Sequence, residues 1–282
     1  MLLSQLNKQI KKLAVSVRAR IIIAHKYRKQ FDICRQAINL ADSFSQDPQK
    51  KLAWDEDDDL SKIILVSIAR NVHRLESIII LCRRGFAKDA IPLVRSLFEE
   101  LVDIKYMRAD KTRVRDFLDY DVWQRVKLSK IAGAGLVTEA QKEKLEKRRK
   151  ELLDSWLKIR ERFLCGKEKK ECNRWTKKDV RQVANEVKLG ESYDYIFGYL
   201  SHYIHHSAIT ADEYVLGREG DKVALEVGAT EKLVREVLPT ASAMFVDLLS
   251  QANEEYSLGC DRQLQSLSED LVKDKERYKT HE

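Results

Sequence analysis

The chain has 282 residues, 44% hydrophobic and 34% charged, with Lys+Arg 52 against Asp+Glu 45 for a net charge of +7. So large an apolar share excludes a disordered chain. With 10 glycines and 3 prolines it is poor in the residues that glycine-rich phosphate loops and tight β-turns require, which argues against doubly wound α/β enzymes and β-sandwiches and for long helices.

The first element predicted is a helix reaching residue 43 and stopped by Asp47-Pro48. Leu3, Leu6, Ile10, Leu13 and Val17 step 3, 4, 3, 4, one apolar stripe of a heptad with Lys8, Lys11, Lys12 and Arg18 off it. Residues 1–30 carry eight Lys/Arg and no acid. The stripe suits packing on the body of the protein or a homo-oligomer formed through this helix; a membrane-surface role lacks aromatic anchors. No cleavable signal is expected at this N-terminus, and the longest apolar runs, 63–66 and 78–82, are far short of the ~18 residues of a membrane span.

The run Asp55-Glu56-Asp57-Asp58-Asp59 stands where acids favour the positive end of a helix. The helix it introduces, over 60–84, is apolar on most faces and is expected to be central, with Gly85 as its left-handed cap. Helices over 87–109 and 111–132 follow, the latter ending at Gly133-Ala134-Gly135. A long charged helix is read from Thr138 to about Leu164. Residues 141–181 hold sixteen basic and eight acidic side chains, a surface suited to nucleic acid, though Glu143/Lys147 and Glu146/Lys150 are also spaced as i,i+4 pairs of a solvated face. Thr176 reads as the N-cap of a helix to 188, and Ser192 as the start of one to 208. The period then changes to that of a short β-hairpin near 213–227, and helix resumes from 230 to 256. The fold expected is all-α, a multi-helix bundle with one β-hairpin: a basic amphipathic segment over 1–50, a bundle domain over 51–258 and a charged C-terminal tail over 259–282. The five scattered cysteines, Cys34, Cys82, Cys165, Cys172 and Cys260, read as reduced, mostly buried thiols of a cytoplasmic protein.

Two polar stripes stand out on apolar helices. Arg95, Glu99 and Asp103 recur at i, i+4 and i+8 on an otherwise apolar stretch. Such charges need partners, because an unpaired buried charge is costly, so they form either an Arg95–Glu99 pair or the wall of a site. The second stripe lies in SYDYIFGYLSHYIHHS, residues 192–207, where three of the six histidines fall within five residues. Helical spacing puts Tyr195, Tyr199, His202 and His206 on one face, with Ser201 and His205 beside it. Histidine suits proton transfer near neutral pH. Metal-independent RNA cleavage would use His205 or His202 as acid–base, with Arg95 stabilising charge and Glu99 beside it; Asp103, Tyr199, Ser201 and His206 would line the pocket. Zinc or iron held by His202 and His206 with Glu99 or Asp103 is a weaker reading, since no Glu-x-x-His pattern is present. No cofactor is expected, because no Walker, GxGxxG or GxSxG motif occurs.

The segment Ala90-Ile91-Pro92-Leu93-Val94-Arg95-Ser96-Leu97-Phe98-Glu99, with Tyr199-Leu200-Ser201 followed by His205 and Ser207 and a Trp–Lys-rich stretch over 175–187, resembles the bacterial domain-of-unknown-function family 5677. That resemblance covers roughly residues 60–250 and implies an all-helical fold with the Arg-Ser-Leu-Phe-Glu helix against the His helix; it implies no established activity. A weaker similarity is to HEPN-type helical nucleases, whose signature is Arg-x4–6-His near the start of a late helix. Here Ser201-x3-His205 lacks that arginine, Arg20-x4-His25 fits only in letters, and Arg70-x2-His73 is too short. The function expected is a ribonuclease of this kind, acting on RNA in stress or phage defence. The alternative is a non-enzymatic interaction or ligand-binding module that self-associates.

Overall fold

A computed structural model describes residues 16–46, 58–132, 139–168, 170–204, 215–219, 222–225 and 228–279. Helix α1 spans residues 16–26. It is followed by α2 (Arg28–Gln46), α3 (Asp59–Arg84), α4 (Ala87–Ala109), α5 (Arg113–Ala132), α6 (Glu139–Ile159), α7 (Val180–Glu186), α8 (Gly190–Tyr193), α9 (Val234–Tyr256) and α10 (Asp261–Lys279). The fold is all-α, as the composition and periodicity predict. Leu3, Leu6, Ile10 and Leu13 of the N-terminal stripe lie outside the described residues; Val17, its last member, and Ile21, one turn on, are exposed.

The described residues divide into two compact units. One holds those up to Ile104 and from Glu191 onward; the other is Lys105–Gly190. In the first, α9 is central and packs on α2, α3 and α10. Its sequence explains this, since Val237, Leu238, Ala241, Phe245, Leu248, Leu249 and Ala252 are all buried, a stripe wide enough to face several helices. Cys34 of α2 meets this helix with its Sγ 2.9 Å from Ser242 Oγ, and burial pushes its thiol up to about 11. Beyond Gly259, α10 buries Leu264 and Leu267 and is also tied to α2 by Lys29–Asp270 at 3.3 Å.

Helix α3 begins where the acidic run predicts. Asp58 is the N-cap and accepts from the Ser61 N–H at 3.2 Å. It ends at Gly85, with φ 83°. The Gly85 carbonyl accepts from the Thr230 N–H at 3.0 Å, clasping the α3–α4 corner to the lead-in of α9. A Cβ at Gly85 would stand 2.7 Å from Ala229 Cβ and 2.8 Å from Thr230 N. Gly85→Ala should therefore cost roughly 2–3 kcal/mol, from the left-handed backbone and the overlap together. Urea unfolding checks this, and a loss below about 0.5 kcal/mol would show that the corner gives way freely.

The Lys105–Gly190 unit departs from the sequence reading at several points. The charged helix stops at Ile159 rather than near 164, passes through a 3₁₀ turn over Arg160–Phe163, and enters a two-stranded ladder, β1 (Leu164–Cys165) with β2 (Lys170–Glu171). The cause is aromatic. Trp156 stacks on Trp123 at 5.0 Å and on Phe163 at 5.4 Å, and Tyr120 lies 5.4 Å from Phe163, which turns the chain inward. The ladder brings the Cα atoms of Cys165 and Cys172 to 5.3 Å and the two are joined by a disulfide, so these thiols are not reduced as expected. Cys34, Cys82 and Cys260 are free and buried. Thr176 is not a helix cap: its hydroxyl donates to the Lys178 carbonyl at 2.8 Å. The cap of α7 is Asp179, in a capping box with Gln182.

The hairpin expected near 213–227 is present as β3 (Val215–Glu219) and β4 (Lys222–Leu225), antiparallel and closing at Glu219 opposite Lys222. The β1–β2 ladder was not foreseen, so two short hairpins, not one, occur among the described residues.

Candidate functional site

The two polar stripes both lie in the first unit, on α4 and on the segment after α8. Over its described residues, which end at 204, that segment is not the α-helix that the spacing predicts from 192 to 208. Residues Asp194–Tyr199 are a π-helix and Leu200–Tyr203 a 3₁₀ turn; the Leu200 N–H reaches the Tyr195 carbonyl. A π turn winds more residues per turn than an α turn, so residues four apart fall nearly into one column. Two aromatic columns result. Tyr193 and Phe197 stack at 4.5 Å with rings 12° apart and face Phe98 of α4 at 6.5 and 6.0 Å. Tyr195 and Tyr199 stack at 5.6 Å, and Tyr203 continues the second column 5.9 Å beyond.

The first column is the anchor. Phe98 is wholly buried, and the Arg95 guanidinium lies over the Phe197 ring at 4.1 Å. Arg95 also donates from Nε to Glu99 Oε1 at 3.1 Å. This is the ion pair that the i,i+4 spacing predicts, and both partners are about one-third exposed (34% and 36%), so the pair itself contributes only a few tenths of a kcal/mol. Asp103, one turn on, is half-buried.

The second column is the open face. Tyr199 is 45% exposed, and its hydroxyl lies 3.4 Å from that of Tyr203. The Lys88 ammonium sits 5.8 Å from the centre of the Tyr203 ring. At the other end, burial and then Glu236 push the Tyr195 hydroxyl up to about 12, against a hydrogen bond with Thr240 of α9, so it stays protonated at neutral pH. Ser201 is buried and donates to the Ile196 carbonyl at 3.2 Å. His202 is exposed. Tyr203, in the 3₁₀ turn, continues the column of Tyr195 and Tyr199. His205 and His206 lie outside the described residues, as does any metal set that includes His206. Among the described residues, no group of three or more His, Cys, Asp or Glu side chains could hold a metal ion.

The sequence reading missed Tyr203 and Lys88, although tyrosines at 195, 199 and 203 repeat every four residues. It also missed a network beside the site. Glu100 of α4 accepts from Asn71 Nδ2 at 2.7 Å and pairs with Arg74 at 2.7 Å and Arg70 at 3.1 Å, all three on α3. Asn71 also donates to the Ser67 carbonyl at 2.8 Å. A polar Asn71 on an apolar helix was the available signal.

The family resemblance implies an all-helical fold with the Arg-Ser-Leu-Phe-Glu helix against the His helix; the fold is all-α, and Phe98 of that helix meets Tyr193 and Phe197 of the segment that carries His202. The model of a family of unknown function, DUF5677, matches residues 61–223. That is more than half of the chain, and the protein belongs to this family. No curated protein and no solved structure matches it, and the similarity to HEPN-type nucleases finds no support in the family match. No helix among the described residues is long and apolar enough to cross a membrane.

Proposed function

We propose that the protein is a non-enzymatic RNA-binding module, in which the Tyr195–Tyr199–Tyr203 column takes unpaired bases by stacking and nearby cations steady the phosphates. The observation that carries this reading is the tyrosine column, in which Tyr195 and Tyr199 are exposed and Tyr203 is half-buried. Aromatic faces of this kind bind single strands with little sequence preference, at about 1–3 kcal/mol per stacked base. The net charge of +7 favours a polyanion. Arg95 is engaged by Glu99 and by the Phe197 ring, which suits a group that orders the face better than one waiting for a phosphorane. RNA cleavage is therefore left out of the reading.

The test is fluorescence anisotropy of a labelled single-stranded RNA titrated with the full chain and with Tyr199→Ala, at low and at raised salt, with EDTA present. Tyr199→Ala should weaken binding roughly tenfold, since about 1.4 kcal/mol is a factor of ten, while circular dichroism stays unchanged. Wild-type affinity should fall steeply with salt. Equal affinity of the two proteins, or no binding at low salt, would overturn the reading. Shortened RNA on a gel would replace it with cleavage.

A further inference from the structure

The Cys165–Cys172 pair stands apart from the other cysteines. Cys34, Cys82 and Cys260 are free and fully enclosed, and burial raises the Cys34 and Cys82 thiols well above their ordinary range; they are poor reactants. The paired cysteines instead close a surface hairpin whose tip, Gly166, Lys167 and Glu168, is exposed, and Cys165 itself is only half-buried. Three buried unpaired thiols beside one disulfide in a surface hairpin, with Cys165 half-buried and Cys172 buried, is the pattern of a reducing compartment, where disulfides are transient or redox-sensing.

We propose that Cys165 and Cys172 are a reversible redox site, a dithiol–disulfide couple that exchanges with a small thiol such as glutathione and sets the packing of Trp175. In the oxidising direction, the thiolate of one cysteine attacks a sulfur of glutathione disulfide and expels one glutathione thiolate. The second cysteine, as thiolate, then attacks the mixed disulfide and expels the other. Two protein thiols are oxidised, one glutathione disulfide is reduced to two glutathiones, and the cysteine protons pass to the released thiolates. Reduction runs the same steps backwards.

The surroundings make the bond consequential. The ladder it closes has only two residues per strand, and a hairpin so short does not hold itself together in water. Cys172 is the joint between that ladder and the interior of its unit. Its N–H donates to the Phe163 carbonyl at 2.8 Å, and its carbonyl accepts from the Tyr120 hydroxyl at 2.7 Å. Arg160 pairs with Glu171 at 2.9 Å, and the Glu171 backbone N–H, then Arg160, holds that carboxyl below its usual range. Three residues past Cys172, Trp175 meets Tyr106 at 5.7 Å and Phe117 edge-on at 5.5 Å, while its indole N–H has no hydrogen-bond partner among the described residues. Trp175 is thus held by packing alone, and opening the crosslink frees the segment that delivers it.

The full chain is equilibrated in glutathione buffers, from excess disulfide to excess thiol, then quenched in denaturant with an alkylating agent and weighed by mass spectrometry. Of the five cysteines, three should be alkylated after the oxidising buffer and five after the reducing one. Tryptophan emission, read before the quench, should shift to the red on reduction while helicity is retained. The Cys165→Ser/Cys172→Ser variant should show the reduced emission in both buffers. Five alkylated cysteines after excess glutathione disulfide would overturn the pair, and three after excess glutathione would make it a permanent staple. Identical emission in the two states would remove the link to Trp175.

Discussion

Phe98→Ala is expected to cost about 3–5 kcal/mol, the range for removing a fully buried aromatic ring. Phe98 has no exposed surface, and its ring is what α4 offers to Phe197 and Tyr193. Alanine leaves a void in front of that stacked pair, and each tilted aromatic contact contributes about 0.5–1.5 kcal/mol beyond its buried area. A π segment is less well bonded than an α-helix and depends on such packing for its shape. The variant should therefore lose RNA affinity together with stability, whereas Tyr199→Ala loses affinity alone. Phe98→Leu, which refills most of the void, should recover the larger part of both. Urea unfolding measures the first quantity and anisotropy the second. Full stability in Phe98→Ala would mean that α4 does not hold the tyrosine segment.

The second large effect is expected at Glu100. Its side chain is 18% exposed and that of its partner Arg74 19%, so solvent screens their pairing far less than it does the Arg95–Glu99 pair. Asn71 is wholly buried, and its amide divides its donors between Glu100 and the Ser67 carbonyl. Glu100→Ala removes the acceptor common to Asn71, Arg70 and Arg74, and leaves Arg74 and Asn71 beside an emptied volume. The loss should be about 2–4 kcal/mol, mostly the cost of stranding those groups rather than the strength of any one bond. Glu100→Gln keeps an acceptor for Asn71 and should lose about half as much. Chemical denaturation at low and at 1 M salt separates the parts: the outer Arg70 contact should fade with salt, and the Asn71–Arg74 part should persist. A loss below about 0.5 kcal/mol in Glu100→Ala would reduce the network to ordinary surface pairing.

The sequence made these helices legible where it carries strong punctuation. Gly85 separates α3 from α4 because glycine adopts the left-handed cap at no steric cost, and α4 ends at Ala109 as its apolar period predicts. The Arg95–Glu99 pair was legible because its partners lie one turn apart on one helix. What was hidden depends on local departures from the 3.6-residue period or on contacts between elements. The segment leaves the α period, as a π-helix over Asp194–Tyr199 and a 3₁₀ turn over Leu200–Tyr203, and its column continues through Tyr203. Glu99 and Glu100 are neighbours in sequence, yet only the arrival of α3 tells which of them meets Asn71 and Arg74. The Cys165–Cys172 bond needed the ladder, and the ladder needed Trp156, Phe163 and Tyr120 to meet first.

The placement of α9 has a bearing on how the chain is made. The unit it centres begins with α1 to α4, is interrupted in sequence by Lys105–Gly190, and resumes at Glu191. The apolar faces of α2 and α3 therefore leave the ribosome well before the helix that covers them. About 150 residues separate Ile104 from the end of α9, and at roughly 5–20 residues per second the nascent chain keeps that surface uncovered for on the order of ten to thirty seconds. During that interval, chaperones that cover exposed apolar helices would compete with aggregation for the unfinished half, while Lys105–Gly190, contiguous in sequence, has all its own helices in hand.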